Sequence, residues 1–199
     1  QELDRPFAYV SKRFTPTGID VVSLEDEEHP EVIWRWRMEN AELHLGSGAL
    51  DGRYFKHDGR YYLVQSFQFG QGGPNPDLGA IVFDVTSLPD TSGIREVGRI
   101  QSPDIDGGFH NIYMYKHSDG RPLLFTTTRS PWANVYDMAA FVEGGASHDE
   151  ALVGQVPLPE NRYWALTGNQ GTYHDFYVGY DPATGQDRFW GGGTGGYFV

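Results

Sequence analysis

The chain contains no cysteine among its 199 residues. That excludes disulfides, thiolate nucleophiles and cysteine-based zinc sites, and leaves histidine and carboxylate metal sites open. It also lacks any run near the ~20 consecutive apolar residues of a membrane-spanning helix, and no basic and apolar leader precedes the first strand pattern. Basic residues are few: 15 Lys and Arg stand against 27 Asp and Glu, a formal net charge of −12, with no basic run. Such a surface repels phosphate backbones and anionic headgroups, so neither nucleic acid nor direct membrane insertion is expected. Helix signals are equally scarce. "DMAAFVEGGASHDEAL" has the best helical composition, but Gly144 and Gly145 interrupt it, so the sequence predicts at most a short helical turn there. A start at Gln1 fits a processed N-terminus as well as a trimmed one. Together with the missing cysteines, it leads us to expect an extracytoplasmic protein, whether periplasmic, cell-surface or secreted.

Aromatic residues, at 15%, and turn formers, with 26 Gly and 12 Pro, are abundant. Short bursts such as "EVIWRWRM", "RYYLVQSF", "GAIVFDV", "NIYMYK" and "PLLFTTT" are rich in β-branched and aromatic residues and are separated by Gly, Pro, Asp and Asn. These are strand signals. Two landmarks recur. The phrases "IDVVSLEDEEHP", "IVFDVTSLPD" and "NVYDMAAFVEGG" align Asp20, Asp84 and Asp137. The pair "YFKHDGRYYLVQS" and "YMYKHSDGRPLLFTTT" shares Lys-His, then Asp-Gly-Arg, then an apolar strand, and "FYVGYDPATGQDRFWGGG" repeats the pattern with a longer turn. An aspartate ending a strand can accept bonds from N–H groups of the following turn, a structural reason for its recurrence.

The repeating unit is therefore strand, Asp-Gly hairpin, strand, loop, "(I/V)xxD" strand, turn, strand. Four antiparallel strands recurring every ~40 to 65 residues predict an all-β chain of β-propeller blades, because a small sheet apolar on both faces must be sandwiched by its neighbours. The whole chain, residues 1–199, reads as one propeller region. Within it we expect a partial blade at 5–38 supplying the last three strands, complete blades at 49–101 and 110–157, and the beginning of another at 174–199. About three to four blades are fewer than most rings need, so the sequence suggests a piece of a longer ring.

The "IVFDVTSLPD", "GQVPLP", "HN" and "HD" phrases resemble the LVIVD-repeat propellers of secreted and cell-surface bacterial proteins, over most of residues 7–199. The resemblance implies the propeller fold and says little about activity. "DMAAFVEGG" departs from it by lacking the Ser-x-Pro turn, and Leu50-Asp51 stands where His-Asp is the pattern. The copper-binding selenium-binding and methanethiol-oxidase propellers are a more distant likeness whose motifs this chain does not match closely.

His110-Asn111 and His174-Asp175 occupy equivalent places, at the start of what should be the innermost strand, and Leu50-Asp51 is the first copy. His44 falls out of this register. Side chains repeated there converge on one mouth of a channel, where His110, His174, Asp51 and Asp175 could hold a divalent metal through neutral imidazole and carboxylate. The plainer reading is that each ties one blade to the next by hydrogen bonds. Asp104 and Asp106 of "SPDIDGG" have a faint look of a calcium loop but lack its later ligands, so a solvated loop is expected. His57 and His117 sit in hairpins and are expected to be exposed, without a role. "GGGTGG" at 191–196 has no lysine and opens no helix, so it is no phosphate loop; its glycines suit a loop crossing close to another backbone. "WRWRM" places Trp34 and Trp36 opposite Arg35 and Arg37, either on an exposed edge or against a neighbouring segment. "EDEE", Glu25 to Glu28, reads as a solvated charge run. No nucleophile elbow or zinc-protease motif occurs. The sequence thus favours a non-enzymatic scaffold for a protein or cell-surface partner, possible as a subunit of a larger assembly, with a metal-dependent enzyme or small-ligand binder as the alternative.

Overall fold

The structure, a computed structural model, describes residues 2–14, 16–39, 41–43, 48–69, 78–103 and 107–199. It is all-β apart from short helices. The first sheet contains β1 (Phe7–Lys12), β2 (Gly18–Ser23) and β3 (Glu31–Arg37). The second contains β4 (Ala49–His57), β5 (Arg60–Phe67), β6 (Leu78–Asp84) and β7 (Arg95–Gln101). The third has β8 (Ile112–Lys116), β9 (Pro122–Thr127), β10 (Trp132–Asp137) and β11 (Leu152–Pro157). The fourth has β12 (Tyr173–Asp181), β13 (Gln186–Gly193) and β14 (Gly196–Phe198). In every sheet the strands lie in chain order and pair antiparallel, as short connections dictate.

Local chemistry explains the hairpins. Asp58 and Gly59, both at positive φ (45° and 73°), close the two-residue turn between β4 and β5, the conformation that Asp-Gly supplies at little steric cost. The β8–β9 turn carries one extra residue and places Gly120 at φ 98°.

Burial then builds the stack. Along β6 every residue is buried, and successive side chains serve different cores: Ile81 and Phe83 pack with the first sheet, Ala80 and Val82 with the third. A strand covered on both faces reads as one apolar run, which is why "GAIVFDV" does not alternate. Leu124 of β9 likewise joins the core between second and third sheets, while Leu123 and Phe125 join that between third and fourth. Trp34 and Trp36 pack edge-on against Phe83, and Trp36 also against Phe67, with centroids 5.5 to 5.8 Å apart. The tryptophan face of "WRWRM" is thus turned into the protein, and Arg37 on its other face pairs with Asp20.

The inner strands run side by side. Arg53 Nε on β4 donates to Ile112 O at 3.1 Å, and Asn111 Nδ2 beside β8 donates to His174 O on β12 at 2.7 Å. Further along, Tyr54 to Lys56 lie beside Met114 to Lys116 and Tyr113 packs against Tyr177, so β4, β8 and β12 are parallel neighbours. β1 runs the other way past β4: Asp4 pairs with Lys56 near one end, and Thr17 Oγ1 accepts from Ala49 N beyond the other. That is the direction of a second strand in the complete sheets.

Several expectations are corrected. The aligned aspartates do not share one position. Asp84 closes β6 and accepts from Thr86 N at 3.0 Å, and Asp137 closes β10 and accepts from Ala139 N at 3.0 Å, but Asp20 sits inside β2, opposite Val10 and Arg35. Helix is more frequent than expected. α1 (Met138–Glu143) is capped by Asp137, and α2 (His148–Ala151) by a Ser147–Glu150 capping box. α3 (Arg162–Thr167) was not anticipated, although Asn161 caps its start and Gly168, at φ 68°, its end. The glycines 191–193 lie in β13 rather than in a loop; a side chain at Gly191 would strike the Tyr173 ring. Glu25 to Glu28 are exposed, as a charge run should be.

Candidate functional site

Parallel inner strands bring equivalent residues to the same end of the stack. His110 precedes β8 and His174 is the second residue of β12, and their ring centroids stand 4.7 Å apart. His110 Nδ1 donates to Gln68 Oε1 at 2.8 Å, which leaves Nε2 as the acceptor of the neutral ring. Burial, then the neighbouring His174 and the positive field of Arg13, push the His110 pKa below its ordinary value, against weaker pulls from Asp175 and Asp51. The pair lines a cleft of about 420 Å³ with Gln68, Thr127, Thr128 and Arg129. His174 also walls a second hollow of about 560 Å³, shared with Asp175, Thr194 and Tyr197.

The carboxylates of the expected cluster have other work. Asp51 Oδ2 accepts from Ile112 N at 3.4 Å and lies 3.0 Å from Arg53 Nη2; burial raises its pKa against that arginine's attraction. Asp175 Oδ1 accepts from Phe176 N at 3.0 Å. The structure brings the two imidazoles together, then, while Asp51 ties β4 to β8. Among the described residues, no group of three or more His, Asp or Glu is placed to hold a metal ion. Asp104, Asp106 and His44 lie outside the described residues.

Sequence reasoning missed Gln68, Thr127, Thr128 and Arg129, which follow or end the second strands of two sheets. Their only signal was the change from apolar to polar at the ends of "LVQSFQ" and "LLFTTTR". It also misjudged the hairpin histidines. His57 Nε2 lies 2.8 Å from Glu143 of α1, and His117 Nε2 lies 3.1 Å from Asp187 of β13, so each faces an acid on the next sheet. Tyr115 and Ser118 donate to the same Asp187, making this a second tie between the third and fourth sheets. Comparison with protein-family models, with curated proteins and with solved structures finds no match to this chain.

Proposed function

We propose that the chain is a β-propeller-type binding scaffold, extracytoplasmic and non-enzymatic, that receives a partner or small polar ligand at the end of the stack where the inner strands begin. The observation that carries this reading is the division of labour there. Asp51 and Asn111 are consumed in strand-to-strand bonds, while His110, His174 and Arg129 line an open cleft. Two imidazoles, a guanidinium and hydroxyls suit hydrogen-bonded recognition. The propeller arrangement is supported by parallel inner strands and by a core between each pair of consecutive sheets. The recurring phrases that resemble LVIVD-repeat proteins support a cell-surface or secreted setting.

The test is histidine side-chain NMR during titration with small carboxylates and short peptides. The expected result is that the His110 and His174 signals move while the probe stays chemically unchanged. Turnover of the probe, or binding that survives both His110→Ala and His174→Ala, overturns the reading. The metal-dependent alternative draws on one observation, the His110 and His174 rings brought to a centroid separation of 4.7 Å. Stoichiometric metal in purified protein, lost in the two alanine variants, is the result that favours it.

A further inference from the structure

The cleft that holds His110 and His174 is walled by three consecutive sheets: Gln68 follows β5, Arg129 follows β9, and His174 belongs to β12. Its charge runs against that of the chain. Acids outnumber bases 27 to 15 overall, yet the described residues that line this cleft include no aspartate or glutamate. Elsewhere Arg5, Arg37, Arg60 and Arg121 each pair with a carboxylate. Arg129 has no carboxylate partner among the described residues; its Nη2 donates to Phe69 O at 3.3 Å. A glycine helps to fix where it stands. Gly107 has φ 130°, and a Cβ there would come within 2.4 Å of Arg129 Nε, so the guanidinium occupies space that only a bare backbone leaves. The field at the rings has the same sign. Burial first, then His174 and Arg13, disfavour a proton on His110, against weaker pulls from Asp175 and Asp51. A negative charge in the cleft is attracted by Arg129 and eases protonation of either ring.

We propose that the ligand of this cleft is a small oxoanion, held by Arg129 and the His110–His174 pair. The inference rests on the binding role proposed above and adds the charge of what is bound. A guanidinium matches the oxygens of a carboxylate or of a tetrahedral oxoanion, which is the chemistry the two share. A cleft of about 420 Å³ is of the size that takes a small molecule. Retention of an anion cannot come from the overall field, because a net charge of −12 repels it. It has to come from the local cations, so an uncharged molecule of the same shape loses most of the attraction.

Histidine side-chain NMR on the whole chain, at constant ionic strength, tests this with three probes: acetate, its uncharged isostere acetamide, and inorganic sulfate. The expected result is saturable movement of the His110 and His174 signals by acetate, by sulfate or by both, at ~10 mM or below, with acetamide roughly tenfold weaker or more. Response to acetate alone assigns a carboxylate, and to sulfate alone a tetrahedral oxoanion. Arg129→Gln should weaken the anion roughly tenfold or more, and Arg129→Lys, which keeps the charge, should recover part of the loss. Unchanged backbone amide spectra separate lost binding from lost folding. Acetamide as tight as acetate, or an Arg129→Gln variant that binds the anion as well as wild type, overturns the anion assignment and leaves the binding role standing. Signals that neither anion moves overturn it too, and the binding role falls with it only if short peptides also leave them unmoved.

Discussion

Arg60, which opens β5 directly after the Asp58-Gly59 turn, forms an ion pair with Asp84, the residue that closes β6. Arg95 of β7 reaches the same carboxylate at 3.1 Å, and Thr86 N donates to its other oxygen at 3.0 Å. The third sheet repeats the pair more loosely, with Arg121 3.7 Å from Asp137. The Asp-Gly-Arg hairpin and the strand-closing aspartate are thus two halves of one device, which fixes the second strand, the third strand and the turn after it. Burial would raise the Asp84 pKa, but the bonds from Thr86 and Arg60 outweigh it and hold the carboxyl below its usual range.

Asp84 is 3% exposed while Arg60 and Arg95 keep 44% and 67% of their side chains in solvent, so removing it leaves the guanidinium groups hydrated but deprives the Thr86 N–H of its acceptor. Asp84→Ala should cost roughly 1–2 kcal/mol, the order expected for leaving a turn N–H without its acceptor, and Asp84→Asn less because the turn keeps its acceptor. Urea denaturation measures both. A loss below ~1 kcal/mol for the alanine variant would mean that the turn N–H finds another acceptor.

Two glycines should respond oppositely to alanine. Gly108 has φ 68°, and a Cβ there would collide with the carbonyl oxygens of Phe67 and Leu78, both backbone atoms that cannot step aside. Gly108→Ala should destabilise by roughly 2 kcal/mol or more. Gly154 in β11 has nothing within 4 Å of its Cβ position, so Gly154→Ala should stabilise by about 0.5 kcal/mol through the lost freedom of the unfolded chain. Thermal melts of the two variants against wild type decide the sign.

Because the charged form of His110 is disfavoured in the fold, its native pKa lies below the ordinary 6.5. Between those two values the unfolded chain binds more protons at this position than the native one. The contribution of His110 is therefore complete above about 6.5 and is lost as the pH falls through the lowered native value. His110→Gln should flatten this part of the stability profile while leaving that of the other histidines in place. Urea midpoints taken at intervals from pH 7.5 to about 5 provide the comparison. Identical slopes for the two proteins would show that His110 is solvated.

Strand positions, hairpins and the grouping into small sheets were legible in the sequence because they depend on neighbours in the chain: alternation, β-branched and aromatic runs, and Asp-Gly turns with one extra residue counted correctly. Even α3, which was overlooked, carried its signals locally in Asn161 and Gly168. Partnership across sheets was not legible. "DVVSLED" and "DVTSLPD" look like copies, yet one lies within a strand and the other closes one, because register against β1 and β3 determines where β2 ends. His57 and His117 look like exposed turn residues until the next sheet presents Glu143 and Asp187 to them. His110 and His174 stand 64 positions apart and meet only because β8 and β12 run parallel. Asp51 resembles a metal ligand until Ile112 N takes up its oxygen. Local chemistry chose the elements; the stacking of sheets, which alone hides both of their apolar faces, decided which side chains meet.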